Sequence, residues 1–193
     1  MKWYGWMPLL IVLFAACNKD EIKDPQAPPV MEYTDFNNKE IKVNEYANAD
    51  LNKDGSKDIF LYTMHVGDAL FNRDYLRYHI LGSINNFFPV NNNEESPILS
   101  KGDTIAAHTF SGYEWYNATQ LLIAQKVTEI NPPVYWQGSW KEASHKYLPM
   151  RIQKGHDLYY GWIELSFDVK DEKIVMHRAA ISRDANKGAK AGF

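Results

Sequence analysis

Residues 160–169 read YGWIELSFDV, and their alternation decides the fold class. Ile163, Leu165, Phe167 and Val169 fall on one side, while Trp162, Glu164, Ser166 and Asp168 fall on the other. Successive side chains of extended backbone point to opposite faces, so this period of two marks a strand with one face on a core. The polar turn Lys170-Asp171-Glu172-Lys173 follows, and residues 174–180 read as the return strand of a hairpin.

The same reading extends upstream. Residues 59–66 are apolar on both faces, with Ile59 and Leu61 opposite Phe60, Tyr62 and Met64, which predicts a central, buried strand. Leu76, Tyr78 and Ile80 alternate with Arg77 and His79. Leu148, Met150 and Ile152 alternate with Pro149 and Arg151, and the proline points to a sheet edge. Residues 118–127 are expected to form one short helix. Many short strands between Gly, Asn and Pro turns predict an all-β domain, a β-sandwich or jelly roll with at most one short helix.

The chain has 193 residues and a formal net charge of −3. That length suits one domain with a real core. The balance lacks the basic stripe that nucleic acid requires, so no nucleic-acid partner is expected. Its single cysteine excludes an intrachain disulfide.

That cysteine follows Lys2, an apolar run over residues 7–14, and the small Ala15 and Ala16. The run is shorter than the roughly 20 residues of a membrane span. An ordinary secretory cleavage site places small residues at the last and third-last positions, and Phe14 occupies the third-last. The pattern resembles a bacterial lipoprotein signal, although the lipoprotein box prefers leucine where Phe14 stands. The resemblance implies cleavage before Cys17 and lipid on its thiol, with plain secretion and a retained helix as the alternatives. Cys17-Asn18-Lys19-Asp20-Glu21 is similar to the lipoprotein export signal of Bacteroidota, which implies the cell-surface face of the outer membrane; a periplasmic face is the alternative. Residues 17–30, with Pro25, Pro28 and Pro29, read as a lipidated cysteine and flexible tether. The chain thus divides into a signal peptide (1–16), a tether (17–30) and a β-sandwich (31–193). One acyl chain binds a membrane only marginally, and lipoproteins of this type carry two or three.

The strongest local motif is DLNKDGSKD at residues 50–58. Asp50, Asn52, Asp54 and Asp58 place oxygens at loop positions one, three, five and nine. Gly55 permits the bend at six, and the Ser56 carbonyl reaches position seven. Calcium takes six to eight such oxygens. Position twelve is Tyr62 rather than glutamate, so the loop is not a full EF-hand; it resembles the D-x-N-x-D-G-x-x-D loops of extracellular β-propeller and thrombospondin-type repeats. The expected cofactor is structural Ca²⁺. The alternative is a bare Asn/Asp/Gly turn.

Residues 147–152 (YLPMRI), 159–163 (YYGWI) and the closing Ala191-Gly192 resemble secreted β proteins, many from Bacteroidota, with a "YGW" strand and an upstream Asp/Asn-rich loop. Pro149 and Met150 depart from that pattern. The resemblance bears on fold and location rather than activity. Asp103-Thr104-Ile105 is similar to the O-glycosylation sequon of Bacteroidota secreted proteins.

Exposed rings beside carboxylates or amides are how a sheet face grips sugars. Tyr160, Trp162 and Glu164 on one strand face, with Trp136 and Trp140 in a turn-rich segment, are the expected ligand-binding residues. Packing of these rings into a core is the alternative. No catalytic motif is present, and the six histidines are scattered singly. Glu114 with Glu164 is the pair a glycosidase would use. The expected function is a calcium-stabilised, non-catalytic binding domain on the outer membrane, for glycans or a protein partner. A purely structural surface protein and a carbohydrate-active hydrolase are the competing readings.

Overall fold

A computed structural model of the protein describes Met1 and residues 27–108, 110–129 and 134–193. Cys17, the cleavage site and most of the tether lie outside the described residues. The described residues form thirteen strands: β1 (Met31–Ile41), β2 (Tyr46–Ala49), β3 (Ile59–Asp68), β4 (Arg73–Gly82), β5 (Asn86–Val90), β6 (Thr104–Ile105), β7 (Glu114–Asn117), β8 (Gln120–Glu129), β9 (Tyr135–Gln137), β10 (Lys146–Lys154), β11 (Asp157–Asp168), β12 (Lys173–Ser182) and β13 (Ala189–Lys190). No helix is present among them, so the fold is all-β.

Two antiparallel sheets face each other, a six-stranded one ordered β1-β12-β11-β10-β5-β7 and a five-stranded one ordered β2-β3-β4-β8-β9. The main core lies between them. Ile163, Leu165 and Phe167 of β11 enter it with Leu148, Met150 and Ile152 of β10, against Ile59, Leu61, Tyr78, Ile80 and Leu121 of the other sheet. The predicted hairpin is present as β11–β12, with Phe167 opposite Ile174.

The segment expected to be a helix is strand β8. A bulge opposite Tyr78 and His79 shifts its register, so that Tyr78 pairs Ala124 and His79 pairs Leu122. The bulge breaks the period of two, so that buried Leu121 and Ile123 are followed at once by buried Ala124 and then Val127, and within that set 121, 124 and 127 carry the spacing of a helix face.

Strand β10 is internal rather than an edge, yet Pro149 sits where its outer side has no ladder. Tyr147 exchanges two backbone hydrogen bonds with Leu99, and β5 pairs only with Arg151 and Ile152. The amide missing from Pro149 would point into the gap between them.

A second core covers the outer face of β11. Leu99, Ile105, Ala189 and Ala191 close over Tyr147, Tyr160, Trp162 and Ala180, with the small β6–β13 pair forming the lid. This explains the YGW pattern. Tyr160 and Trp162 fill the outer core, while a Cβ on Gly161, between them, would strike the Ala180 carbonyl of β12.

Candidate functional site

The aromatic platform expected on β11 does not face solvent. Trp162 is 0% exposed and Tyr160 3%. The Trp162 indole donates to the Phe193 carbonyl oxygen (3.1 Å), and the Tyr147 ring meets it edge-on at 5.2 Å. Trp140 is buried in the main core, its indole donating to the Ser96 carbonyl (3.1 Å). Trp136 is half-buried against Tyr78 and Phe167. A ring enclosed on both faces cannot stack on a sugar, so Tyr160, Trp162 and Trp140 are core residues, and the platform assigned to them is corrected on that ground.

Glu164 lies on the same strand face but belongs to a polar cleft of ≈ 520 Å³ lined also by Tyr33, Asp35, Asn38, His145, His177 and Arg178. Its carboxylate is buried and accepts from Arg178 Nε (2.7 Å), with His145 Nδ1 at 2.8 Å on the other oxygen. Burial by itself would raise the carboxyl's pKa, but the hydrogen bonds from Arg178 and His145 outweigh it and hold the group below its ordinary value. The His145 and His177 rings stack at 4.0 Å between centroids. His177 Nδ1 lies 2.7 Å from Asn38 Oδ1, and its Nε2 2.8 Å from Ser166 Oγ. Burial, then the neighbouring His145, push the His177 pKa down.

Sequence reading missed this cluster because two irregularities build it. Glu164 pairs Arg178 while Leu165 pairs Met176, leaving His177 as an extra residue on β12. On β1, Asp35 pairs Arg178 and Lys39 pairs Met176. The intervening Asn37 and Asn38 take left-handed backbone (φ 52° and 55°), which delivers Asn38 to His177. The doublet Asn37-Asn38 was the one local signal, since asparagine tolerates that region.

Glu114 does not join Glu164. It stands on β7, three strands away from β11, or about 14 Å at ordinary strand spacing. Glycosidase carboxyls lie about 5 to 10 Å apart.

Glu114 instead lines a second cleft of ≈ 530 Å³, at the mouth between the sheets beside β5 and β7, with Asn91, Asn92, Glu94, Tyr113 and Tyr116. Glu114 and Tyr116 pair with Val90 and Phe88 and share their face, but Tyr116 reaches past the edge of the core and is 51% exposed. The Tyr116 hydroxyl donates to Glu114 Oε2 (2.8 Å). The facing turn is fixed by Asn91, whose Oδ1 accepts from the amides of Asn93 (2.9 Å) and Glu95 (3.0 Å). Glu94 sits in left-handed backbone, φ 61°. Two phenol rings, two carboxylates and two amides therefore share one open mouth. The sequence does not reveal this mouth, because its walls, residues 91–94 and 113–116, are brought together only by the pairing of β5 with β7.

The Asp50–Asp58 loop is tightly self-bonded. Asp50 accepts from the amides of Asp54 (3.2 Å) and Gly55 (2.8 Å), Asn52 from Asp54 (3.0 Å), and Asp54 from Ser56 (2.9 Å). Asp58 is buried and accepts from Leu51 (2.7 Å) and Asn52 (3.3 Å). Burial pushes the Asp58 pKa up; the two amides oppose it, and the charges of Asp54 and Asp50 add to it. Lys53 and Asp54 reach across to the other sheet, to Glu32 (2.7 Å) and Lys154 (3.8 Å). Among the described residues no group of three or more His, Cys, Asp or Glu is gathered to hold a metal. A calcium loop would draw on Asn52 and the Ser56 carbonyl as well; each Asp50 oxygen accepts one amide and retains a second lone pair, whereas Asp58 Oδ2 accepts both of its amides and leaves Oδ1 as the free oxygen.

No family model matches the chain, and neither the curated proteins nor the solved structures searched gave a match.

Proposed function

We propose that this chain is a lipoprotein of the outer-membrane surface whose β-sandwich is a non-catalytic module that binds glycans at the β5–β7 mouth. The observation that carries the binding reading is the exposed Tyr116 ring in one cleft with Tyr113, Glu114, Glu94, Asn91 and Asn92. A sugar offers a C–H face to a ring and hydroxyls to carboxylates and amides. The anchor reading is supported by Cys17, the apolar run before it and the NKDE after it. Calcium at Asp50, Asn52, Asp54, Ser56 and Asp58 would brace the loop that joins the two sheets through Glu32 and Lys154.

The test is retention of the chain from position 17, carrying Cys17→Ser, on a panel of immobilised neutral and acidic polysaccharides with calcium present. Specific retention that falls about tenfold in Tyr116→Ala, with unchanged melting temperature, is expected. Release of reducing ends from the retained polysaccharide would make it a hydrolase instead. The second reading, a purely structural surface protein, is favoured by the burial of Tyr160, Trp162 and Trp140, and no retention on any polysaccharide would select it.

A further inference from the structure

We propose that the face around Phe193 is the one this protein lays on an anionic lipid surface, an inference that rests on the anchor reading above and adds the orientation of the domain. A groove of ≈ 760 Å³ is lined by Pro28, Pro29, Met31 and Phe193 together with Lys190. The Phe193 ring is 55% exposed, and Lys101 Nζ stands 4.7 Å from its centroid.

Two observations fix the occupant. The first is where the chain enters the body. Ala27 lines this groove, and the roughly ten residues from Cys17 to Ala27 span at most about 35 Å. A lipid on Cys17 therefore holds the groove within that distance of the bilayer. The second is charge and polarity. An apolar rim flanked by lysines matches the boundary between acyl chains and anionic headgroups, where each lysine adds to attraction and a buried ring adds hydrophobic transfer.

The experiment is co-sedimentation of the chain from position 17, carrying Cys17→Ser, with vesicles containing phosphatidylglycerol and with vesicles of phosphatidylcholine alone. Binding that requires phosphatidylglycerol is expected. It should fall about fivefold in Lys190→Gln and about tenfold in Phe193→Ser, and stay unchanged in Tyr33→Ser. Equal binding to both vesicles, or indifference to Lys190→Gln and Phe193→Ser, would overturn the proposal. So would a self-association lost in Phe193→Ser without vesicle binding, which would assign the groove to a second copy. A sugar on Thr104, which lines the groove, would overturn it as well, because it would hold the face off the lipid. Intact mass of the unmutated protein reads lipid on Cys17 separately, so failure of the anchor and failure of this face are distinguishable.

Discussion

The imidazoles of His145 and His177 stack with centroids 4.0 Å apart and planes 20° apart, one from the turn before β10 and the other from the bulge of β12. Burial disfavours a charge on His177 first of all, a second protonated ring at that separation would repel it, and Arg178 stands beside the pair. The folded state therefore holds His177 below its ordinary pKa and binds fewer protons than the unfolded chain. Stability falls as pH drops through the ordinary histidine value near 6.5. His79, buried against the Leu121 carbonyl, contributes with the same sign. Melting temperature measured against pH should decline below about pH 6.5, and the decline should be shallower in His177→Asn. Parallel curves for the two proteins would remove His177 from the account.

Glu164 carries the opposite consequence. Its pKa is lowered in the fold, so its contribution is present above the ordinary carboxylate value and is lost as pH falls through the lowered one. Glu164→Gln leaves Arg178 and His145 without their acceptor and should cost about 2 to 4 kcal/mol at neutral pH. Denaturant unfolding should show that cost shrinking once both proteins are strongly acidified.

Trp162→Ala empties the outer core and should cost about 3 to 5 kcal/mol. Gly161→Ala should destabilise by about 1 to 3 kcal/mol or more, because the Ala180 backbone has to move. If Trp162→Ala were near neutral in stability, the second core would not be packed as described.

Calcium binding to the Asp50–Asp58 loop has a thermal signature. At a concentration ten times the dissociation constant it adds about 1.4 kcal/mol, or about 3 to 6 °C for a domain of this size. Chelator should lower the melting temperature of the unmutated protein and leave Asp54→Ala unmoved. Burial raises the Asp58 pKa, so its ionised form opposes folding as pH rises through the carboxylate range. A bound cation offsets that, and the calcium gain should be larger at pH 7 than at pH 4.5.

What could be read in the sequence was local. The alternation over residues 160–169 predicted β11 and its hairpin, because a two-residue period survives any tertiary arrangement. Pro149 pointed to a sheet edge, whereas β10 is internal and the proline is accommodated because that stretch of its outer side carries no ladder. Two features hid the rest. The bulge in β8 shifted the phase of its buried residues and imitated a helix. The fate of Tyr160 and Trp162 depended on β6, β13 and the closing residues folding back over them, a covering layer that alternation cannot reveal. The Glu164–His145–His177–Arg178 cluster needed the registers of three strands at once.

The central claim is that ligand enters at the β5–β7 mouth. Hydrogen–deuterium exchange of the calcium-loaded protein, with and without the polysaccharide that retains it, tests this most directly. The account predicts protection confined to residues 91–95 and 112–119, with the β11–β12 hairpin unchanged. Protection at the Glu164 cleft with none at the mouth would contradict it.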